Sequence, residues 1–174
     1  MRLSRKRGLC QILKLALLAG WSAGALAELT RPPSGGATLF DAPASIIGVL
    51  PDYATVARVN RQVNESTRYE ADTQRFGRSD LWVEANGAGD CEDFVLEKRR
   101  RLLALGVPPP AMRIVTARIK TSQFGRERGH AVLVVLTTEG EWVLDMTGEP
   151  ARKQDLSYRW MKIQQGGRWY SVEN

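Results

Sequence analysis

Three side chains in the second half of this chain have the types that nucleophilic acyl chemistry requires. They are Cys91, His130 and Asp145. In such chemistry a thiolate attacks a carbonyl carbon, an imidazole moves the proton, and a carboxylate holds the imidazole in one tautomer. The chain contains a single histidine, and its other cysteine, Cys10, lies near the amino terminus. The composition therefore offers one candidate for the base.

The first 27 residues have the pattern of an export signal. The segment opens with four Lys or Arg residues, continues with a mostly apolar run over residues 9–18, and ends in Ala25-Leu26-Ala27, a small-x-small cleavage site. The apolar run is shorter than the roughly 20 residues of a membrane span. We therefore predict a signal peptide over residues 1–27, a periplasmic protein and no membrane span after cleavage. Cys10 leaves with the signal, so Cys91 has no partner for a structural disulfide.

The net charge of the chain changes when the signal is removed. The whole sequence carries a formal charge of +6, but residues 1–27 hold five basic and no acidic residues. The 20 basic and 19 acidic residues that remain give +1. A charge this small gives no reason to expect a nucleic-acid partner. The sequence also lacks a C-x-x-C or His-rich pattern, which disfavours a zinc site.

Beyond the signal, composition divides the chain into two parts. Residues 28–50 are rich in Pro, Gly and Ala and are expected to be irregular, which leaves residues 51–174 as one domain. Residues 51–69 carry apolar side chains at helical spacing and predict an amphipathic helix. Its apolar positions are Tyr53, Val56, Val59 and Val63.

A second helix is predicted from Cys91 to Leu105, with Asp90 as its N-cap. Gly106 and the prolines after it end the helix. Residues 98–101 are basic and lie toward its carboxyl end, where cations suit the helix dipole. Cys91 is thus placed on the first turn, where unsatisfied N–H groups and the positive dipole end lower the pKa of a thiol.

The rest of the chain consists of short alternating or uniformly apolar runs, which are typical of strands. Strands are predicted over residues 112–120, 130–137, 142–144, 158–163 and 168–172. Because helices come first and neighbouring strands follow, the predicted class is α+β, with N-terminal helices packed on an antiparallel sheet.

The turn between two of these strands decides whether Asp145 can reach His130. A two-residue turn at Thr138-Glu139 pairs Asp145 with Val132, on the same face as His130 and diagonal to it. A turn at Glu139-Gly140 pairs Asp145 with Val134 instead, roughly 13 Å along the strand from His130 and too far for contact. The sequence leaves both registers open.

Three carboxylates flank the thiol, and negative charge opposes its ionisation. They belong to Asp90, Glu92 and Asp93. Two explanations remain open. Capping and basic partners could occupy the carboxylates, or two of them could hold a hard cation such as Ca²⁺.

Several motifs resemble those of the bacterial transglutaminase-like cysteine proteinases. The resemblance runs from about residue 56 to the tail. It is carried by Gly89-Asp90-Cys91-Glu92-Asp93-Phe94 followed by Lys98-Arg99-Arg100, Gly129-His130-Ala131-Val132-Leu133, Val143-Leu144-Asp145, Val59-Asn60-x-x-Val63-Asn64, Phe76-Gly77-x-x-Asp80-x-Trp82, and Tyr158-Arg159-Trp160 with Trp169 in the tail. One departure is visible, because family members often have Asn after the final Asp, where this chain has Met146-Thr147.

The resemblance implies a transglutaminase or papain-like core, an exported location and a triad of Cys91, His130 and Asp145. Its best-understood relatives, the LapG-type proteases, cut surface adhesins and need calcium. By position, Asp90 and Glu92 are the residues linked to calcium, although the thiol chemistry itself requires no cofactor.

The leading hypothesis is an exported thiol hydrolase that cleaves peptide or side-chain amide bonds of a cell-envelope protein. The backbone N–H of Cys91 is a candidate oxyanion donor, with the side chain of Trp82 or Asn86 as a second. We expect a monomer. Two alternatives are acyl transfer to an amine, as in a transglutaminase or deamidase, and a non-catalytic periplasmic binding module with a vestigial thiol site.

Overall fold

The computed structural model describes residues 46, 48–120 and 126–172. The predicted signal peptide and almost all of the segment 28–50 lie outside these residues. The helices are α1 (Tyr53–Ser66), α2 (Asp72–Phe76) and α3 (Cys91–Ala104), with 3₁₀ turns at Pro109–Ala111 and Lys153–Asp155. The strands are β1 (Arg68–Tyr69), β2 (Ala88–Gly89), β3 (Met112–Lys120), β4 (Glu127–Thr137), β5 (Gly140–Leu144), β6 (Arg159–Gln165) and β7 (Arg168–Ser171).

Helix α1 forms where the apolar spacing predicts it. The carboxylate of Asp52 accepts a hydrogen bond from the backbone N–H of Thr55 at 2.8 Å and caps the first turn. Val56, Val59 and Val63 of the apolar stripe are buried and Tyr53 is half-buried, and the helix ends at Ser66, three residues before the predicted end. The buried stripe holds α1 against α3 and the sheet.

Helix α3 begins at Cys91, as predicted, with Asp90 in the N-cap position. The carboxylate of Asp90 makes no capping hydrogen bond, which leaves it available for other partners. At the other end Gly106 has a φ of +83°, and the N–H of Val107 bonds to the carbonyl of Leu102 at 3.0 Å. This left-handed turn ends the helix in the way the sequence indicates.

The five longer strands form one antiparallel sheet in the order β5-β4-β3-β6-β7, which confirms the α+β class. Helices α1 and α3 pack against Ala131, Leu133 and Val135 of β4. A second apolar cluster, which includes Val132 and Val134, holds the alternate residues of the same strand. The strand is therefore buried on both faces, as its uniformly apolar sequence predicts.

The β4–β5 hairpin adopts the first of the two predicted registers. Leu133 pairs with Leu144 and Thr137 with Gly140, so Thr138-Glu139 form the two-residue turn. Extended by one residue, this register places Asp145 opposite Val132, and the alternative register is wrong. The β4–β5 ladder ends at Leu133, so within the described chain residues 127–132 of β4 have no partner on the β5 side.

The segment between α1 and α3 contains elements that the sequence did not predict. Strands β1 and β2 pair in parallel, with Arg68 opposite Ala88 and Tyr69 opposite Gly89. This pairing brings the loop that contains α2 back to the first turn of α3.

No helix within the described residues is long and apolar enough to cross a membrane.

Candidate active site

Cys91 lies where α3 meets the stretch of β4 that pairs with β3 but has no partner on the β5 side within the described chain. Its side chain is half-buried, and the backbone of Ala131, the residue after His130, forms a hydrogen bond to its sulfur. Cys91 and His130 line the same cavity. The fold thus brings together a thiol and an imidazole that are 39 positions apart in the sequence.

His130 and Asp145 are in direct contact. The Nε2 atom of His130 lies 2.9 Å from Oδ1 and 3.0 Å from Oδ2 of Asp145, and both residues are buried. Because an ionised carboxylate only accepts hydrogen bonds, this contact requires the tautomer with the proton on Nε2. The Nδ1 atom then remains as the acceptor of the ring.

Further donors converge on the Asp145 carboxylate. The hydroxyl of Tyr158 donates to Oδ2 at 2.5 Å, and the backbone N–H of Met146 donates to Oδ1 at 2.6 Å. Burial favours a protonated Asp145, but its hydrogen bonds from His130, Tyr158 and Met146 lower its pKa below the ordinary value. The Tyr158 ring also contacts the His130 ring edge-to-face, with 5.8 Å between the two ring centroids. Burial and the bond to Asp145 raise the pKa of Tyr158, so it donates as a neutral phenol.

The backbone carbonyl of Asp145 is bonded as well. It accepts hydrogen bonds from Nζ of Lys98 and, at 3.1 Å, from Nδ2 of Asn64. The sequence placed Lys98 among cations that suit the carboxyl end of α3, and this is wrong, because Lys98 is fully buried in the middle of the helix. Burial lowers its pKa to about 7.

The thiol itself donates to a carboxylate. The sulfur of Cys91 lies 2.8 Å from Oε2 of Glu92 and, among the described residues, makes no side-chain hydrogen bond to His130. Burial raises the pKa of the Cys91 thiol, and the bond to Glu92 and its charge raise it further. In this arrangement Cys91 is held as a thiol. The neighbouring carboxylates therefore oppose its ionisation, as the sequence indicated.

Two of the predicted metal-site residues meet a third that the sequence did not indicate. Oxygens of Asp72, Asp90 and Glu92 lie within 4.8 Å of one another, and we call these three residues the acidic cluster. Oδ1 of Asp72 and Oδ1 of Asp90 are buried without a hydrogen-bond donor among the described residues. Burial raises the pKa of Asp90 and of Glu92, and the charge of Asp72 adds to the shift at Asp90. An all-oxygen set with unsatisfied lone pairs fits a hard cation such as Ca²⁺.

Asp93, the third carboxylate near Cys91, fits the explanation in which capping and basic partners occupy the carboxylates. It pairs with Arg75 at 2.7 Å and accepts a hydrogen bond from the N–H of Val83 at 3.1 Å. The side chain of Asp93 also explains why residue 89 is a glycine, because a Cβ on Gly89 would lie 2.5 Å from the Cβ of Asp93. Basic and backbone partners thus occupy Asp93, whereas the acidic cluster keeps free oxygens.

The cavity has a volume of about 1190 Å³ and opens between the first turns of α3 and the sheet. Trp82 and Trp169 both line this cavity, and their ring centroids lie 5.9 Å apart. Asn86 is exposed and is not among the described residues that line the cavity. Of the two predicted side-chain oxyanion donors, we therefore retain Trp82.

Three residues of this site were missed by the sequence analysis. Asp72 joins the acidic cluster across a loop, and no local motif marks it. Lys98 lies seven residues after Cys91, on a helix whose polar pattern hides its burial. Tyr158 belongs to the Tyr158-Arg159-Trp160 motif of the resemblance, which gives the tyrosine no role.

A family model for bacterial transglutaminase-like cysteine proteinases matches residues 49–174. This chain belongs to that family. It is therefore a transglutaminase-like cysteine peptidase, as the resemblance implied. Comparison with proteins of curated function gave no match.

Solved structures give a consistent answer for the fold. Calcium-bound LapG from Legionella pneumophila has a TM-score of 0.56 at 24% identity, over 70% of this chain and 69% of that one. EGTA-treated LapG from the same organism has a TM-score of 0.54 at 24% identity, over 70% of this chain and 67% of that one. A third structure of LapG from the same organism has a TM-score of 0.53 at 25% identity, over 68% of this chain and 67% of that one. The transglutaminase-like fold that the resemblance implied is thereby confirmed.

Proposed function

We propose that this peptidase is an exported thiol protease in which Cys91, His130 and Asp145 form the catalytic triad. The observation that carries the proposal is the His130–Asp145 hydrogen bond beside the cavity that Cys91 and His130 share. Asp145 fixes the tautomer that leaves Nδ1 of His130 free to take a proton.

In this mechanism Nδ1 of His130 takes the proton of the Cys91 thiol, and the thiolate attacks the carbonyl carbon of an amide. The tetrahedral intermediate collapses as His130 returns its proton to the leaving amine, which gives a thioester on Cys91. His130 then deprotonates a water molecule that attacks the thioester. The carboxylic acid is released, and the thiol is restored.

The oxyanion of the intermediate needs donors that are in place before reaction. The backbone N–H of Cys91 is at the amino end of α3, where N–H groups lack helical acceptors. The indole N–H of Trp82, on the cavity wall, is the second donor we propose.

The acidic cluster is proposed to hold a calcium ion through Asp72, Asp90 and Glu92. Support comes from their clustered, partly unsatisfied oxygens and from the calcium-bound and EGTA-treated forms of LapG. A bound cation would supply positive charge that offsets the carboxylates beside the thiol. Glu92, the present acceptor of that thiol, would then have a competing partner.

The export pattern of residues 1–27 supports a periplasmic location, and the peptidase family supports a protein substrate in the cell envelope. We propose that the protein acts there as a monomer. Amino-terminal sequencing of the exported protein tests this location, with Glu28 expected as the first residue.

Reaction with a thiol-directed peptide chloromethyl ketone tests the triad. We expect labelling at Cys91, located by mass spectrometry of the digested protein, and at least about a 100-fold slower rate in His130→Ala. Val134→Ala is the matched control, because Val134 is buried on the same strand but is not among the described residues that line the cavity. Equal labelling rates in His130→Ala and wild type would contradict an activated thiol–imidazole pair.

A further inference from the structure

Lys98 occupies an unusual position for a lysine. Its side chain is fully buried in the middle of α3, and among the described residues no carboxylate lies within ion-pair distance of its ammonium. The aromatic ring of Phe94 has its centroid 5.9 Å from Nζ. The hydrogen bond of Nζ is to the backbone carbonyl of Asp145.

Burying this ammonium is unfavourable. Removal from water lowers the pKa of Lys98 to about 7, and only the charge of Asp145 acts against that shift. A methionine would fill similar space without the desolvation cost. Packing alone therefore does not explain the lysine, and its contact with Asp145 is what distinguishes it from an apolar residue.

Asp145 lies at a point where the sheet no longer holds the backbone. The last ladder pair of the hairpin is Leu133–Leu144, one residue earlier. Beyond it, the carbonyl of Asp145 is bound from two helices, by Lys98 of α3 and by Asn64 of α1. These two donors hold the backbone beyond the last pair of the ladder. Because the carbonyl and the carboxylate are attached to the same Cα, holding one restricts where the other can point.

We propose that Lys98 is a positioning residue whose ammonium, bonded to the backbone carbonyl of Asp145, keeps the Asp145 carboxylate in register with His130. This inference depends on the role proposed above for Asp145. Lys98 touches no substrate in this scheme and acts through Asp145 alone.

The single histidine of the chain makes the proposal directly measurable. In untagged protein with ¹⁵N-labelled histidine, every imidazole signal comes from His130. Wild type should show one fixed tautomer with the proton on Nε2, as the bond to Asp145 requires. In Lys98→Met we expect averaged signals from the two nitrogens, because the carboxylate no longer holds one orientation.

Leu102→Met is the matched control. Leu102 is also fully buried on α3, one turn further along, and the exchange nearly conserves volume. Its His130 signals should equal those of wild type. With a fluorogenic peptide that wild type cleaves, kcat of Lys98→Met should fall about 10- to 100-fold while KM stays unchanged. A fixed Nε2–H tautomer in folded Lys98→Met would overturn the proposal.

Asn64→Ala decides the matter if Lys98→Met does not fold. This change removes the other donor from the same carbonyl at a half-buried position. We expect His130 signals shifted in the same direction as in Lys98→Met but by less, since Lys98 remains. Unchanged signals in Asn64→Ala would then count against the proposal.

Failure of the proposed function would look different. If the triad is wrong, Cys91→Ser keeps the activity of wild type, whatever the His130 spectrum shows. If only the role of Lys98 is wrong, Cys91→Ser is inactive and Lys98→Met keeps both the wild-type spectrum and the wild-type kcat.

Discussion

The carboxylate of Asp145 and the carboxylates of the acidic cluster are stabilised to very different degrees. Both oxygens of Asp145 accept hydrogen bonds, from His130, Tyr158 and the N–H of Met146. In the acidic cluster, Asp72 and Asp90 each keep a buried oxygen that no donor of the described residues reaches. The pKa of Asp145 is lowered accordingly, and that of Asp90 is raised.

This difference distinguishes a finished hydrogen-bond network from one that needs another component. A buried carboxylate with a full set of donors stays ionised in one orientation, which suits a residue that must orient an imidazole. Buried carboxylates without donors are unfavourable until a proton or a cation joins them. We therefore expect changes at Asp145 to disturb catalysis directly, and changes at the acidic cluster to act through cation binding.

Replacing Asp145 by Asn should have the largest effect. The amide keeps the shape but turns an N–H group toward donors that now find no acceptor, and the tautomer of His130 is no longer fixed. We expect kcat of Asp145→Asn to fall about 10⁴-fold. Asp155→Asn, at an exposed position in the second 3₁₀ turn, should retain full activity. Loss of less than about 10-fold in Asp145→Asn would rule out the orienting role.

Calcium should stabilise the wild type through the acidic cluster. At a concentration of 100 times Kd, a ligand that binds only the folded state adds about 2.7 kcal/mol to the free energy of unfolding. Asp72→Asn removes one charge from the cluster, so the same calcium concentration should give a much smaller rise in Tm. Glu84→Gln, an exposed carboxylate of the same loop, is the control and should respond like wild type. Equal calcium responses in all three proteins would place the ion elsewhere.

The pH dependence of stability should report the buried Lys98. Its pKa is about 7 in the folded protein and 10.5 as the ordinary value, so between these limits the unfolded chain binds more protons. The free energy of unfolding should then rise with pH, by up to about 1.4 kcal/mol per pH unit from this group. Urea titrations of wild type and Lys98→Met measure the difference between their slopes. Parallel slopes above pH ~7 would show that Lys98 keeps its ordinary pKa in the fold.

Local sequence signals were sufficient for the framework of the site. Asp90 followed by a helix-forming run placed Cys91 on the first turn of α3, and apolar periodicity predicted α1 and the strands of the sheet. These signals are local because caps, turns and periodicity depend on neighbouring residues. They also restricted the hairpin to two registers, one of which the structure adopts.

Local signals could not predict which polar side chains are buried or which partners they meet. Lys98 follows the helical pattern of a solvated cation, yet it is fully buried against Asp145. Asp72 looked like an ordinary loop residue, yet it completes the acidic cluster. Each of these roles depends on a partner at least 18 positions away in the sequence, and a single sequence carries no measure of that proximity.

By itself, the sequence determined which residue types were present for thiol chemistry, where the helix that carries the thiol begins, and to which family the chain is similar. The tertiary structure alone decided which hairpin register forms, which carboxylates lack donors, and that two helices bind the backbone of Asp145. The physical reason is range. Backbone capping and side-chain periodicity act over a few residues, whereas desolvation and hydrogen bonding of buried groups depend on everything that packing brings within a few ångströms.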